Sequence, residues 1–151
     1  MLLGPDGLEF CSGMAECACK PVFPGSQDVR LFVQIVLGKF TFDAVVDTGG
    51  SFLVLDPEIV SGAGLDLGGG LEERKLSIRG YVWRGNLYRL AVEFLAVEGI
   101  GLQKELTVFV PTVEDGQIWP LPSFLGWHGC LERIRFAVDP VKEQFFFGDA
   151  G

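Results

Sequence analysis

The stretch 43-DAVVDTGGSFLVLD-56 decides how this chain is read. An apolar run, Ala44 to Val46, ends in an aspartate that leads straight into a threonine and two glycines. A strand that stops at a carboxylate, with glycine behind it to allow a tight turn, brings main-chain N–H groups close to that carboxylate. Asp47 is therefore either a group aimed at a substrate or the start of an ordinary Asp/Gly turn. Its surroundings have to separate the two.

Upstream, 29-VRLFVQIVL-37 is β-branched and aromatic, Gly38-Lys39 is a turn, and 40-FTFDAVV-46 alternates apolar with polar residues. This pattern predicts a β-hairpin whose second strand delivers the chain to Asp47. Downstream, 52-FLVL-55 reads as a short strand. Asp56-Pro57-Glu58 then has the N-cap and first-turn proline of a helix, which Gly62 and Gly64 keep short. Strand-like segments follow at 74–85, 86–97 and 104–111, then a loop at 112–122. The last section, 123-SFLGWHGCLERIRFAVDP-140, predicts a helical turn at 129–133 and a strand, with 143-EQFFF-147 as its hairpin partner. The fold class expected is mostly β with one or two short helices. Residues 1–28, rich in Gly, Pro, Cys and Ser without a period, are expected to form an irregular N-terminal arm, with one domain over 29–151.

Composition narrows the function classes. A net charge of −8 argues against a nucleic-acid partner, since phosphate contacts need clustered Lys and Arg. No run approaches the length of a membrane span, and the N-terminus has no basic region before its short apolar pieces, so a cytoplasmic protein without a membrane partner is expected. Mean hydropathy of +0.34 leaves apolar surface to spare for a partner subunit. Cys11, Cys17 and Cys19 could be three legs of a metal site. No histidine or fourth cysteine lies near them in sequence, so reduced, structurally idle thiols are the preferred reading, and neither a metal nor a cofactor is expected.

Nucleophilic triads need a histidine beside Ser or Cys. The one histidine, His128, sits in 126-GWHG-129, which has no nucleophile-elbow pattern, so packing or a local hydrogen bond is its expected role. The cluster 62-GAGLDLGGG-70 has no Lys-Ser/Thr behind it and is not a phosphate loop. Carboxylates remain. One carboxylate cannot serve as acid and base together, whereas two that share a proton can, because neighbouring like charges split their titrations.

In the order hairpin, D-T-G-G-S, strand, short helix, glycine-containing β region and apolar-apolar-Gly, the chain resembles the retropepsin-like aspartic proteases. This single-domain family includes retroviral proteases and bacterial relatives. The pieces that carry the resemblance are 44-AVVDTGGSFLVL-55 and 124-FLGWHGCLERIRFAVDP-140, and it extends over roughly residues 29 to 148. It implies a retropepsin-like acid-protease β-barrel with one catalytic Asp-Thr-Gly per chain, in which Asp47 is the catalytic aspartate. Thr48 would brace two active-site loops across a dimer, and Gly49, Gly50 and Ser51 would complete the loop. Phe124, Leu125 and Gly126 would pack beneath it. A flap would come from about 75–85, with Ser77, Ile78, Arg79, Gly80 and Tyr81 around its tip, or alternatively from Gly68–Gly70. Gly50 departs from the family's usual Ala or Ser, and Trp127 and His128 stand where relatives often carry Arg or Asp.

The chain holds only one D-[ST]-G. The aspartates at 6, 28, 43, 56, 66, 115, 139 and 149 lack its context; Asp43 reads as a solvent-facing or hairpin-edge residue and Asp139-Pro140 as a turn. The resemblance thus implies a homodimer that contributes two Asp47 carboxylates, activates a water between them and hydrolyses a peptide or protein substrate. The alternatives are a catalytically silent retropepsin-like dimer acting as a binding or scaffolding domain, and an unrelated β-barrel ligand binder in which D-T-G is only a turn.

Overall fold

A computed structural model describes every residue except Met1, Asp66 and Gly69. The expected hairpin is present as β4 (Val29–Leu37) and β5 (Phe40–Val46), paired antiparallel from Leu37–Phe40 to Phe32–Val45. The chain before it differs from expectation. In place of an irregular arm it forms β1 (Leu2–Leu3), β2 (Glu9–Cys11) and β3 (Gly13–Pro21). After Asp47 come β6 (Leu53–Val54) and the short helix α1 (Pro57–Gly62). Asp56 caps α1 by accepting a hydrogen bond from the Glu58 N–H at 3.0 Å, and Pro57 opens the first turn.

The strand-like segment 74–85 turns back on itself in its middle. β7 (Glu72–Ile78) and β8 (Tyr81–Phe94) are joined by Arg79-Gly80, both with positive φ, as in the tight hairpin turns whose twist matches that of the strands. β9 (Glu98–Gly99), β10 (Leu102–Pro111) and β11 (Ser123–Leu125) follow. The helical turn of 129–133 is a 3-10 turn at Leu131–Arg133, and β12 (Ile134–Asp139) and β13 (Gln144–Asp149) close the chain as a hairpin.

The sheet path runs β12-β13-β3-β4-β5-β11-β6-β10-β8-β7, and a further pairing of Val36 with Glu93 joins β4 to β8. The main core lies inside this curved sheet, with Ile35, Ala44, Leu53, Val108, Leu125, Phe145 and Phe147 fully or almost fully buried. A second cluster, including Val45, Phe52, Phe109, Trp119 and Phe124, supports the base of the β7–β8 hairpin. Consecutive residues Ala44 and Val45 enter different clusters, so the end of β5 is buried on both faces. That double burial holds the strand rigid where it hands over to Asp47.

Candidate active site

β11 enters the sheet between the two strands that flank Asp47. It pairs parallel with β5 (Ser123–Ala44, Phe124–Val45, Leu125–Val46) and antiparallel with β6 (Phe124–Val54, Leu125–Leu53). The loop 47–52 is thereby stapled to 125–128 through its backbone. The Asp47 N–H donates to Leu125 O at 2.9 Å and the Gly126 N–H to Phe52 O at 2.8 Å. The Trp127 N–H donates to Gly50 O at 2.7 Å and the Phe52 N–H to His128 O at 2.8 Å. Four backbone bonds, one of them to Leu125 on buried β11, hold the loop and keep the carboxylate in place.

Gly126 is what permits the close approach. A Cβ there would stand 2.5 Å from Phe52 O and 2.7 Å from the Ser51 carbonyl carbon, distances that no side chain tolerates. Phe52 pays for the geometry with a φ of 66°, a left-handed conformation that is an outlier for a bulky residue and marks a locally strained loop. Its buried ring meets the His128 edge at 5.7 Å and lies beneath the Arg74 guanidinium at 5.4 Å. His128 therefore does have a packing role, and its Nδ1 also lies 3.2 Å from Glu132.

At the carboxylate itself, Asp47 Oδ1 accepts a hydrogen bond from the Gly49 N–H at 3.1 Å. Oδ2 faces Gly50, where a Cβ would come to 3.1 Å, so the glycine leaves that oxygen room. Thr48 is exposed, and so is Trp127, at 46%. Asp47 lines a cleft of about 340 Å³ together with Gly49, Gly50, Ser51, Phe124 and Gly126. The opposite wall is β7 and the turn after it, from Leu76 to Arg79. Ser77, Ile78 and Arg79 thus share one cavity with Asp47, whereas Tyr81 is exposed beyond the turn. The rival flap at Gly68–Gly70 includes Gly69, which lies outside the described residues; Gly70 packs against Asn86 and Tyr88 on β8.

Asp43 is kept apart from Asp47. It lies on the exposed side of β5 opposite Gln34, and its Oδ2 pairs with Lys20 Nζ at 2.8 Å. β5 ends at Val46, so Asp47 stands just past the strand that carries Asp43.

Sequence reasoning missed a charged cluster at the cleft edge. Asp28, just ahead of β4, receives hydrogen bonds from Arg30 Nε at 2.7 Å and from Arg79 at 2.8 Å. Those two contacts, the Arg30 one foremost, hold its carboxyl below the usual range. The available signal was Arg79 itself, an arginine directly before glycine at a hairpin turn. Among the described residues no group of three or more His, Cys, Asp or Glu could hold a metal ion.

The chain is similar to a retropepsin-like aspartic protease from Rickettsia conorii, at 23% identity over 89% of each chain, with a TM-score of 0.55. The fold is retropepsin-like. A weaker match is to a retroviral protease-like domain from Leishmania major, at 13% identity, covering 73% of this chain and 81% of that one with a TM-score of 0.43. No family model matches the sequence, and no curated protein matches it. No helix among the described residues is long and apolar enough to cross a membrane.

Proposed function

We propose that the protein is an aspartic endopeptidase that works as a homodimer. The observation that carries this reading is the placement of Asp47: a carboxylate on a stapled loop, lining a cleft whose far wall is a β-hairpin. Two copies facing each other across their Asp47 loops would bring two carboxylates onto one water. One acts as general base on that water, and the other, protonated, polarises the scissile carbonyl as general acid. The tetrahedral intermediate is noncovalent and collapses with protonation of the leaving amine.

Other residues take supporting roles. Thr48 braces the two loops against each other, and its exposure in the single chain, with that of Trp127, leaves surface for the second copy to cover. Gly49, Gly50 and Ser51 shape the loop, and Phe124, Leu125 and Gly126 support it from below. The β7–β8 hairpin from Ser77 through Tyr81 is the flap, pairing with an extended substrate as an added strand. We place the protein in the cytoplasm, because all four cysteines are free and a reducing compartment keeps them so.

The test is Asp47→Asn. Peptidase activity of the purified dimer on a casein-derived peptide mixture should disappear, while sedimentation and circular dichroism stay unchanged. Cleavage that survives the substitution ends the proposal. A folded wild-type dimer that cleaves nothing in the mixture would favour the binding or scaffolding role instead.

A further inference from the structure

Arg79 occupies a position chosen for something other than the turn. Its φ is 51°, and Gly80 follows at 84°, in a two-residue loop between the paired residues Ile78 and Tyr81. Gly, Asn and Asp fill the first position of such loops at least cost, and an arginine there is held by what its side chain does. That side chain reaches back over the cleft. Its guanidinium stands 5.6 Å from the Phe124 ring centre, pairs with Asp28 at 2.8 Å, and lines the same cavity as Asp47.

The carboxylates near this edge are Asp28 and, in the cleft itself, Asp47, which also acts on Arg30. Two guanidiniums, Arg30 and Arg79, share the single carboxylate of Asp28, and each gives it one hydrogen bond. A guanidinium has five N–H donors, so Arg79 retains several for another acceptor. The Arg79 and Asp28 side chains are each about one-third exposed, at 34%, and ion pairs this open to water are weak enough to be exchanged. A peptide lying in the cleft would exclude water from Arg79 and strengthen any new charge-assisted contact it made.

We propose that Arg79 is a specificity-determining residue, and that the cleft selects peptides carrying a Glu or Asp side chain at the position beneath the hairpin tip, where the substrate carboxylate joins or replaces Asp28 on the Arg79 guanidinium. The inference rests on the peptidase reading only for the claim that a peptide occupies this cleft.

Binding tests it separately from cleavage. The probes are fluorescein-labelled peptides of Ala, Val, Phe and Leu in which one position at a time carries Glu or its uncharged isostere Gln. Anisotropy on the full-length Asp47→Asn chain should show one position at which Glu binds about tenfold more tightly than Gln. Arg79→Gln should erase that ratio and Arg79→Lys should restore part of it. Arg79→Asn, which suits the positive φ, should erase it with the hairpin turn intact. These results sustain the inference even if the wild type cleaves none of the peptides, in which case only the peptidase reading falls. Equal binding of Glu and Gln peptides at every position, a Glu preference that survives both Arg79→Gln and Arg79→Asn, or no binding of any probe overturns it.

Discussion

Gly126 lies so close beneath Phe52 that the two backbones touch: a Cβ on Gly126 would stand 2.5 Å from the Phe52 carbonyl oxygen, which accepts the Gly126 N–H at 2.8 Å. The atoms it would strike are all backbone and cannot move aside as a side-chain end could. Gly126→Ala should therefore push the Asp47 loop off β11, destabilising the protein by about 1–3 kcal/mol as overpacking of a tight site does. Urea midpoints of the variant and wild type measure the loss. The peptidase activity proposed above should fall further than the unfolded fraction explains, because the loop shifts in the molecules that remain folded.

The two acids of 43–47 should separate cleanly on substitution. Asp43 pairs with Lys20 where both side chains are nearly half exposed, at 46% and 45%. Such a pair contributes about 0–1 kcal/mol. Asp43→Asn should thus leave thermal stability almost unchanged and peptide cleavage intact, in contrast to Asp47→Asn. Loss of cleavage in Asp43→Asn would show that the exposed face of β5 belongs to the site.

The cysteines should differ in reactivity. Cys19 is exposed, whereas Cys11, Cys17 and Cys130 are buried. Burial raises the Cys11 and Cys17 thiols and pushes Cys130 up to about 12. A disulfide-exchange reagent at neutral pH should titrate one thiol rapidly and three only on unfolding. Cys130 also makes an alkaline prediction. Its folded pKa lies above the ordinary value of 9.0, so between the two the native state holds a proton that the unfolded chain has lost. Stability should then fall as pH rises above about 9, and Cys130→Val should flatten that fall in urea titrations across the range.

The acid limb has the opposite sign. Asp149 is held below its ordinary 3.8 chiefly by Lys104, and Asp28 is held below the same value by Arg30 and Arg79. A depressed carboxylate contributes stability that is present above the unfolded pKa and is lost as pH falls through the folded one. Combining Asp28→Asn with Asp149→Asn should lower stability at pH 7 and make its loss below about pH 4 shallower by the same amount, a small one because both carboxylates lie at the surface. An unchanged acid limb in the double variant would show that these two pairs do not set it.

Sequence by itself determined the features whose cause lies within a few residues. Period-two alternation and Gly38-Lys39 specify the β4–β5 hairpin, Asp56-Pro57 starts α1, and D-T-G places Asp47 just past the end of a strand. The apolar-apolar-Gly element was also legible, since Phe124 and Leu125 need burial and only glycine fits at 126. Tertiary structure decided the rest. Gly13–Pro21 has small residues, two cysteines and little alternation. It becomes a strand because β13 pairs with its first half and β4 with its second, and ladder bonds from both override a weak local preference. The threading of β11 between β5 and β6 likewise depends on strands 70 to 79 residues apart in sequence meeting in one sheet. Asp28 carries no local motif at all; it acquires a role only because the hairpin folds back and sets Arg79, 51 residues along the chain, within hydrogen-bond reach. Turn chemistry and periodicity act over short range, whereas the roof of the cleft is made by contacts whose partners no local pattern encodes.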